Sequence, residues 1–323
     1  MAAATTRWDG GKQPWLSARR AAASSCHVAP LRLVAALVTA AAVGVAAGGV
    51  VCEDNRGQGG AFRMLQPADM DLVMHGAGQD AASFRDYWDY MGNTTKPMVF
   101  MTYTSLRMTQ PEIEAYFMQL EADCAAYGDE RFVLPQIGLS MTAGGQGYDD
   151  DVAAGKLDDN IGWFATAISQ QLKRPCYVRI GYEFNGQWNK YNVSTYPQAF
   201  NRVAKVLRDT KMVATVWDYS ADAQVNRLDF LQWVTEPALT DWIGVNIFSG
   251  ASQATAPGSG VTGSKVVERF LEEYSDNPYQ AIMIGESTPR GSGAQGGNNS
   301  WGQWYEPYFT MINDGDYNFQ SFK

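Results

Sequence analysis

Residues 176–185, CYVRIGYEFN, decide how this chain folds. The first seven are almost continuously apolar, with none of the i, i+3, i+4 spacing that marks a half-buried helix. A short unbroken apolar run of this kind fits a strand of a parallel sheet that is covered on both faces. It ends at a glycine and a tyrosine and then presents Glu183 and Asn185, with Asn185-Gly186 as a strong turn signal. A carboxylate where a buried strand stops is the arrangement of barrels of alternating strands and helices, whose chemistry gathers at the C-terminal ends of the strands.

Working outward, the same kind of run recurs at 71–75 (DLVMH), 97–103 (PMVFMTY), 132–139 (FVLPQIGL), 212–217 (MVATVW), 242–248 (WIGVNIF) and 281–285 (AIMIG), making seven expected strands. Between them, 112–127, 161–172, 196–207 and 266–274 carry apolar residues at helical spacing, 228–234 is a shorter helical candidate, and 301–312 follows the seventh strand. No Gly-rich phosphate fingerprint follows the first strand, so the alternation predicts an α/β fold of the (β/α)8 TIM-barrel type rather than an open nucleotide-binding sheet. The eighth strand, at 319–323, is expected to be short or truncated.

Composition narrows the partners. With 25 basic against 34 acidic residues and a net charge of −9, the chain has no basic run outside its N-terminus to hold a nucleic acid. Ten Trp and sixteen Tyr supply stacking surfaces for a flat ligand. Cys124 and Cys176, the two cysteines of the main body, have no metal-ligand spacing and leave a bridge or two buried thiols equally open. The uncharged run 33–51 follows Arg19, Arg20 and Arg32 and precedes Glu53 and Asp54, which predicts a hydrophobic helix serving as signal peptide or type II anchor. The expected organisation is a cytosolic targeting segment at 1–32, the helix at 33–51, a connector at 52–60 and one barrel domain at 61–323. Sequons at Asn93, Asn192 and Asn298 agree with a secreted, extracellular or membrane-anchored glycoprotein.

A census of strand ends gives the candidate chemistry: His75, Tyr103, Ser140, Glu183, Asn185, Trp217, Asp218, Asn246, Phe248 and Glu286. Glu183 and Glu286 end the fourth and seventh strands, across a barrel mouth from each other. Two carboxyl groups about 5 Å apart perform retaining glycoside hydrolysis, one as acid and then base, the other as nucleophile. Arg179 lies four residues before Glu183, on the same side of the strand, where it can keep Glu286 ionised. Met141, Trp188 and Trp217 are candidates for packing against sugar rings. Asp218 and Asp222 read as members of a polar loop, 149–151 (DDD) as a solvated run, and 291–297 (GSGAQGG) as a flexible rim.

The motifs RIGYEFNGQWNKY (179–191) and IGESTPRG (284–291) resemble the acid/base and nucleophile motifs of glycoside hydrolase family 26, the β-mannanase family. VMHGAGQD, VFMTYTSL, LPQIGLSMT, ATVWDYSAD and DWIGVNIFS resemble its other strand-end segments, so the likeness spans about residues 70–323. The resemblance implies retention of configuration, Glu183 as acid/base, Glu286 as nucleophile and no metal or organic cofactor. It implies an endo-acting, monomeric hydrolase of O-glycosyl bonds in a polysaccharide, with mannan first among β-linked substrates. His75, Arg179, Asn185, Trp188, Trp217, Asn246 and Phe248 are then its substrate-binding residues. Two positions depart from the mannanase pattern: Tyr182 stands where a His precedes the acid/base, and Phe248 stands where a Tyr ends the sixth strand. Two rival functions share the cleft: a non-catalytic carbohydrate-binding relative, and a transglycosylase of cell-wall glycan.

Overall fold

The structure, a computed structural model, describes residues 50–54, 63–67, 74–91, 96–128, 133–221, 230–249 and 281–289, all within the compact unit Ala46–Lys323. Seven parallel strands form one sheet. In chain order they are β3 (Gly76–Gly78), β4 (Val99–Ser105), β5 (Leu134–Ser140), β8 (Cys176–Ile180), β9 (Val213–Ser220), β10 (Trp242–Ser249) and β11 (Ala281–Pro289), each hydrogen-bonded to the next. Two antiparallel hairpins accompany it, β1 (Val50–Asp54) with β2 (Arg63–Pro67) and β6 (Thr142–Ala143) with β7 (Gln146–Gly147).

One hydrogen bond shows that the sheet is curled. Gln136 Nε2 on β5 donates to the Gly285 carbonyl on β11 at 2.8 Å, although β8, β9 and β10 lie between them. In a flat sheet four strand spacings would separate the two by roughly 19 Å. The sheet therefore closes toward a barrel, and the described residues make seven strands of a (β/α) barrel; 319–323, the expected eighth, lies outside them.

Helices cover the outer face. They are α1 (Ala81–Tyr90), α2 (Gln110–Ala125), α3 (Asp149–Ala153), α4 (Asp158–Ala167) and α5 (Tyr196–Asp209). In α5 the buried residues Tyr196, Ala199, Phe200, Val203, Ala204 and Leu207 repeat at the helical spacing of a single stripe. In α2, Glu112 reaches back to accept from the Thr109 backbone N–H and hydroxyl, both at 2.8 Å, closing the helix start. Cys124 and Cys176 are not bridged to each other, and burial pushes the Cys124 thiol up to about 12.

Three elements differ from expectation. The first barrel strand is Gly76–Gly78, after the apolar run ending at His75. A Cβ on Gly76 or Gly78 would fall about 2 Å from the Val99 or Met101 carbonyl oxygen, at 1.9 and 2.1 Å. The strand thus depends on small residues for close approach, and small residues give no hydrophobic signal. Residues 50–54, read as the end of an apolar helix and the start of a connector, form β1. Helix α1 went unread because its charged and aromatic residues hide a single buried anchor, Phe84.

Inside the barrel, side chains alternate along each strand. At the N-terminal end Leu65, Met98, Leu134, Tyr177, Ala214, Val216, Trp242 and Met283 form one buried cluster. Leu65 comes from β2, so the first hairpin closes this end, and the Tyr177 hydroxyl donates to the Leu65 carbonyl. Among the described residues no helix is long and apolar enough to cross a membrane; residues 33–49, the helices expected at 266–274 and 301–312, the rim at 291–297, Asp222 and the sequons at Asn93 and Asn298 lie outside them.

Candidate active site

Two residues above the apolar cluster, the interior becomes polar. Arg179 follows Tyr177 on β8, Asp218 follows Val216 on β9, and Asn246 stands four residues past Trp242 on β10. All three are fully buried, with 0% of their surface exposed. Arg179 Nε donates to Asp218 Oδ2 at 2.9 Å, and its Nη2 lies 2.8 Å from the same oxygen. The same Nη2 donates to Glu286 Oε1 at 2.5 Å. Asn246 Nδ2 donates to Asp218 Oδ2 at 3.2 Å and to Glu183 Oε1 at 3.3 Å. One cation and one amide thereby join three carboxylates in a continuous network.

Glu286 reaches this network through a register shift. On β10 and β11, Val245 pairs with Ile284 but Asn246 pairs with Glu286, leaving Gly285 as an extra residue. Strict alternation from the inward-facing Met283 would turn Glu286 outward; one inserted residue reverses that and aims its carboxylate at Arg179. The inserted residue must be small. A Cβ on Gly285 would lie 2.5 Å from Asn246 Oδ1 and 2.8 Å from Asp218 Oδ1. Those two buried oxygens have no hydrogen-bond partner among the described residues.

Glu183 is held by a different device. Gly181 and Glu183 both take the left-handed backbone region, at φ 58° and 51°. For glutamate this conformation costs about 1–2 kcal/mol. The turn is pinned by Phe184 N–H donating to the Asp218 carbonyl at 3.2 Å and by Asn189 Nδ2 donating to the carbonyls of Tyr182 and Glu183 at 2.8 and 3.0 Å. Trp188, 41% exposed, donates from Nε1 to Glu183 Oε2 at 2.8 Å. The strained turn lifts the carboxyl out of the strand's line and into the interior network.

The electrostatics separate the acids. Burial, then the charges of Glu286 and Asp218, raise Glu183 to about 7. Burial also pushes Asp218 upward, against the opposing pull of Arg179. Burial disfavours the Arg179 charge, but Asp218 and Glu286 outweigh it and raise its pKa further. The guanidinium lies 5.2 Å from the Tyr182 ring centroid, and Tyr182 packs on Tyr103 with centroids 5.1 Å apart. Burial first and Glu286 second raise the Tyr103 hydroxyl, keeping it a neutral donor beside the acid. The pair rests on Gly138, where a Cβ would meet the Tyr103 ring at 2.5 Å.

Of the residues expected here, Glu183, Glu286, Arg179, Asn246 and Trp188 come together, and Phe248, buried two residues beyond Asn246, continues its alternation. Others go elsewhere. His75 precedes β3, level with Met98 at the closed end, and its Nδ1 lies 2.9 Å from the Tyr87 hydroxyl of α1. Trp217 alternates with the inward Val216 and Asp218, so it faces the helices: 3% exposed, stacked on Phe184 at 4.4 Å and donating to the Trp233 carbonyl at 3.1 Å. Met141 is fully buried. Asn185 ties its turn to β9, donating to the Ser220 carbonyl and accepting from the Ser220 N–H, both at 2.8 Å.

Asp218, read as a loop residue, is the buried centre of the network. Its place two residues after Val216 in a strand of inward period two could have revealed it. Asp149, taken as part of a solvated run, is buried and accepts from the Thr195 hydroxyl and the Asn192 N–H at 2.5 and 3.1 Å.

No protein-family model matches the chain. It is similar to a β-1,3-xylanase from a Vibrio species, at 23% identity over 256 residues, covering 75% of this chain and 54% of that protein. The chain spans about half the length of the curated relatives it matches. Among solved structures, it is similar to the catalytic domain of the family GH26 endo-β-1,4-mannanase of Bacillus sp. JAMB-750. The TM-score is 0.52 at 18% identity, covering 77% of this chain and 72% of that one. A modular endo-β-1,4-mannanase of Cellulomonas fimi gives a TM-score of 0.51 at 16% identity, covering 75% and 59%. The fold is that of the family 26 mannanase barrels.

Proposed function

We propose, from a barrel fold shared with family 26 mannanases, that this chain is a retaining, endo-acting hydrolase of a β-linked polysaccharide. The observation that carries the reading is the unequal treatment of two acids in one network: Glu183 is raised to about 7, while Glu286 accepts a charge-assisted hydrogen bond from a buried arginine. That division suits an acid that must hold a proton and a nucleophile that must not.

In the first step protonated Glu183 gives its proton to the glycosidic oxygen as a Glu286 oxygen attacks the anomeric carbon, and the leaving sugar departs with the bonding pair. In the second, ionised Glu183 takes a proton from water, whose oxygen attacks the same carbon and releases Glu286. The exposed face of Trp188, tied to Glu183 through its indole N–H, offers a sugar platform beside the acid.

For the substrate, β-1,3-xylan comes ahead of β-mannan. The similarity to a β-1,3-xylanase covers three quarters of this chain, and Tyr182 and Phe248 replace the His and Tyr of the mannanase pattern. Routing across a membrane rests on the charges flanking 33–51 and belongs to the same proposal. The test is incubation with β-1,3-xylan, β-mannan, β-1,3-glucan and β-1,4-glucan, following the first-formed anomer by proton NMR. Shorter β-anomeric products are expected. First-formed α-anomers, or no cleavage of any of the four, would overturn the reading.

A further inference from the structure

The mechanism above uses the bulge at Gly285 but leaves open what holds it. A bulge frees backbone groups from the ladder, and a freed carbonyl inside a barrel needs a partner. Gln136 supplies one: its side chain is 6% exposed, and its Nε2 donates to the Gly285 oxygen at 2.8 Å from the far side of the interior. A carbonyl can only accept, so the amide must present its NH2 group here.

Gln136 occupies the layer between Leu134, part of the apolar floor, and Gly138, the seat of the Tyr103 ring. No other interior residue of β5 is placed between those two levels. Without the contact, β11 can regain an unbulged register in which the Gly285 carbonyl finds a ladder partner and Glu286 turns outward.

We propose that Gln136 is a positioning residue for Glu286: it latches the bulge that rotates the nucleophile into the cleft. This rests on the reading of Glu286 given above. The latch acts on placement and not on substrate contact, so its loss lowers kcat while leaving KM nearly unchanged. A displacement of about 1 Å at a reacting group costs on the order of a hundredfold in rate.

The experiment compares Gln136→Met, which keeps the volume and loses the donor, with Gln136→His, which keeps an N–H at similar reach. Rates are measured on the best-cleaved polysaccharide and with an activated 2-deoxy-2-fluoro glycoside. In the latter a Glu286 oxygen bonds to the anomeric carbon and a dinitrophenolate leaves with the electron pair, so no acid is needed. Expected for Gln136→Met are a roughly 10- to 100-fold lower kcat and trapping rate with KM within about threefold, and for Gln136→His recovery of most of both.

A Gln136→Met protein trapped at the wild-type rate, or a Gln136→His protein as impaired as Gln136→Met, would overturn the latch. Should Gln136→Met not fold, the trapping rate of Gln136→His decides: near wild type supports the latch, and a hundredfold loss in a folded protein counts against it. If wild type cleaves and traps nothing, the functional reading fails separately. The latch is then read from a crystal structure of Gln136→His: Asn246 opposite Glu286 with a ring N–H on the Gly285 oxygen supports it, and the same register with no such bond overturns it.

Discussion

The two ends of the barrel interior are built from the same strands yet obey opposite rules. At the closed end, Leu65, Leu134, Tyr177, Trp242 and their neighbours exclude water and rest mainly on shape and apolar area. Two to four residues further along β8, β9 and β10, the interior holds a buried arginine, an aspartate and an asparagine. Burying such charges stabilises little, because desolvation consumes most of the Coulombic gain. The floor holds the strands together; the upper network spends part of that stability on arranging two acids differently.

The contrast breaks most sharply at the nucleophile. Glu286→Ala or Glu183→Gln should lower turnover at least about a thousandfold while a cooperative unfolding transition, followed by circular dichroism, is retained. Arg179→Met should injure both properties. It strands Asp218 and Glu286 without their cation, at a cost of about 3–5 kcal/mol in denaturant unfolding, together with loss of turnover.

Leu65→Ala belongs to the floor and should cost about 2–4 kcal/mol through the cavity it opens. Its kcat/KM per folded molecule, measured well below the melting transition, should remain within about twofold of wild type. A comparable loss of activity there would show that floor and network are not separable.

A pH series sharpens the difference without changing the floor. Glu183 must be protonated to act as acid, so kcat/KM should fall as pH rises through about 7. Its folded pKa lies above the ordinary carboxylate value, so the folded state holds the proton more tightly than the unfolded chain. That contribution to stability is complete at acid pH and is lost as pH rises from about 4.5 to about 7. The thermal midpoint of Glu183→Gln, which cannot titrate, should therefore gain on wild type across that window. The smallest effect is expected for Trp217→Phe: about 1–2 kcal/mol from the lost hydrogen bond and stacking, with KM unchanged because the ring faces the helices.

Much of the site was legible because it lay where periodicity is simple. Six of the seven expected strands are present with bounds moved by a few residues, since buried parallel strands announce themselves as apolar runs. Glu183 and Glu286 were legible as acids ending such runs. The first strand was misread because a Gly-Ala-Gly segment carries no apolar signal. Adjacent strand residues face opposite ways, which strand-end position alone does not reveal: Asp218 enters the interior network, while Trp217 stacks on Phe184.

The sequence alone determined which segments become strands and which acids stand at their ends, because burial and chain reversal act on neighbouring residues. Only the tertiary structure decided that Gly285 is a bulge, that Glu286 therefore points inward, and that Gln136, 149 positions before that glycine, meets its carbonyl. Those outcomes depend on strand register and barrel curvature, which are set by pairing between segments far apart in the chain.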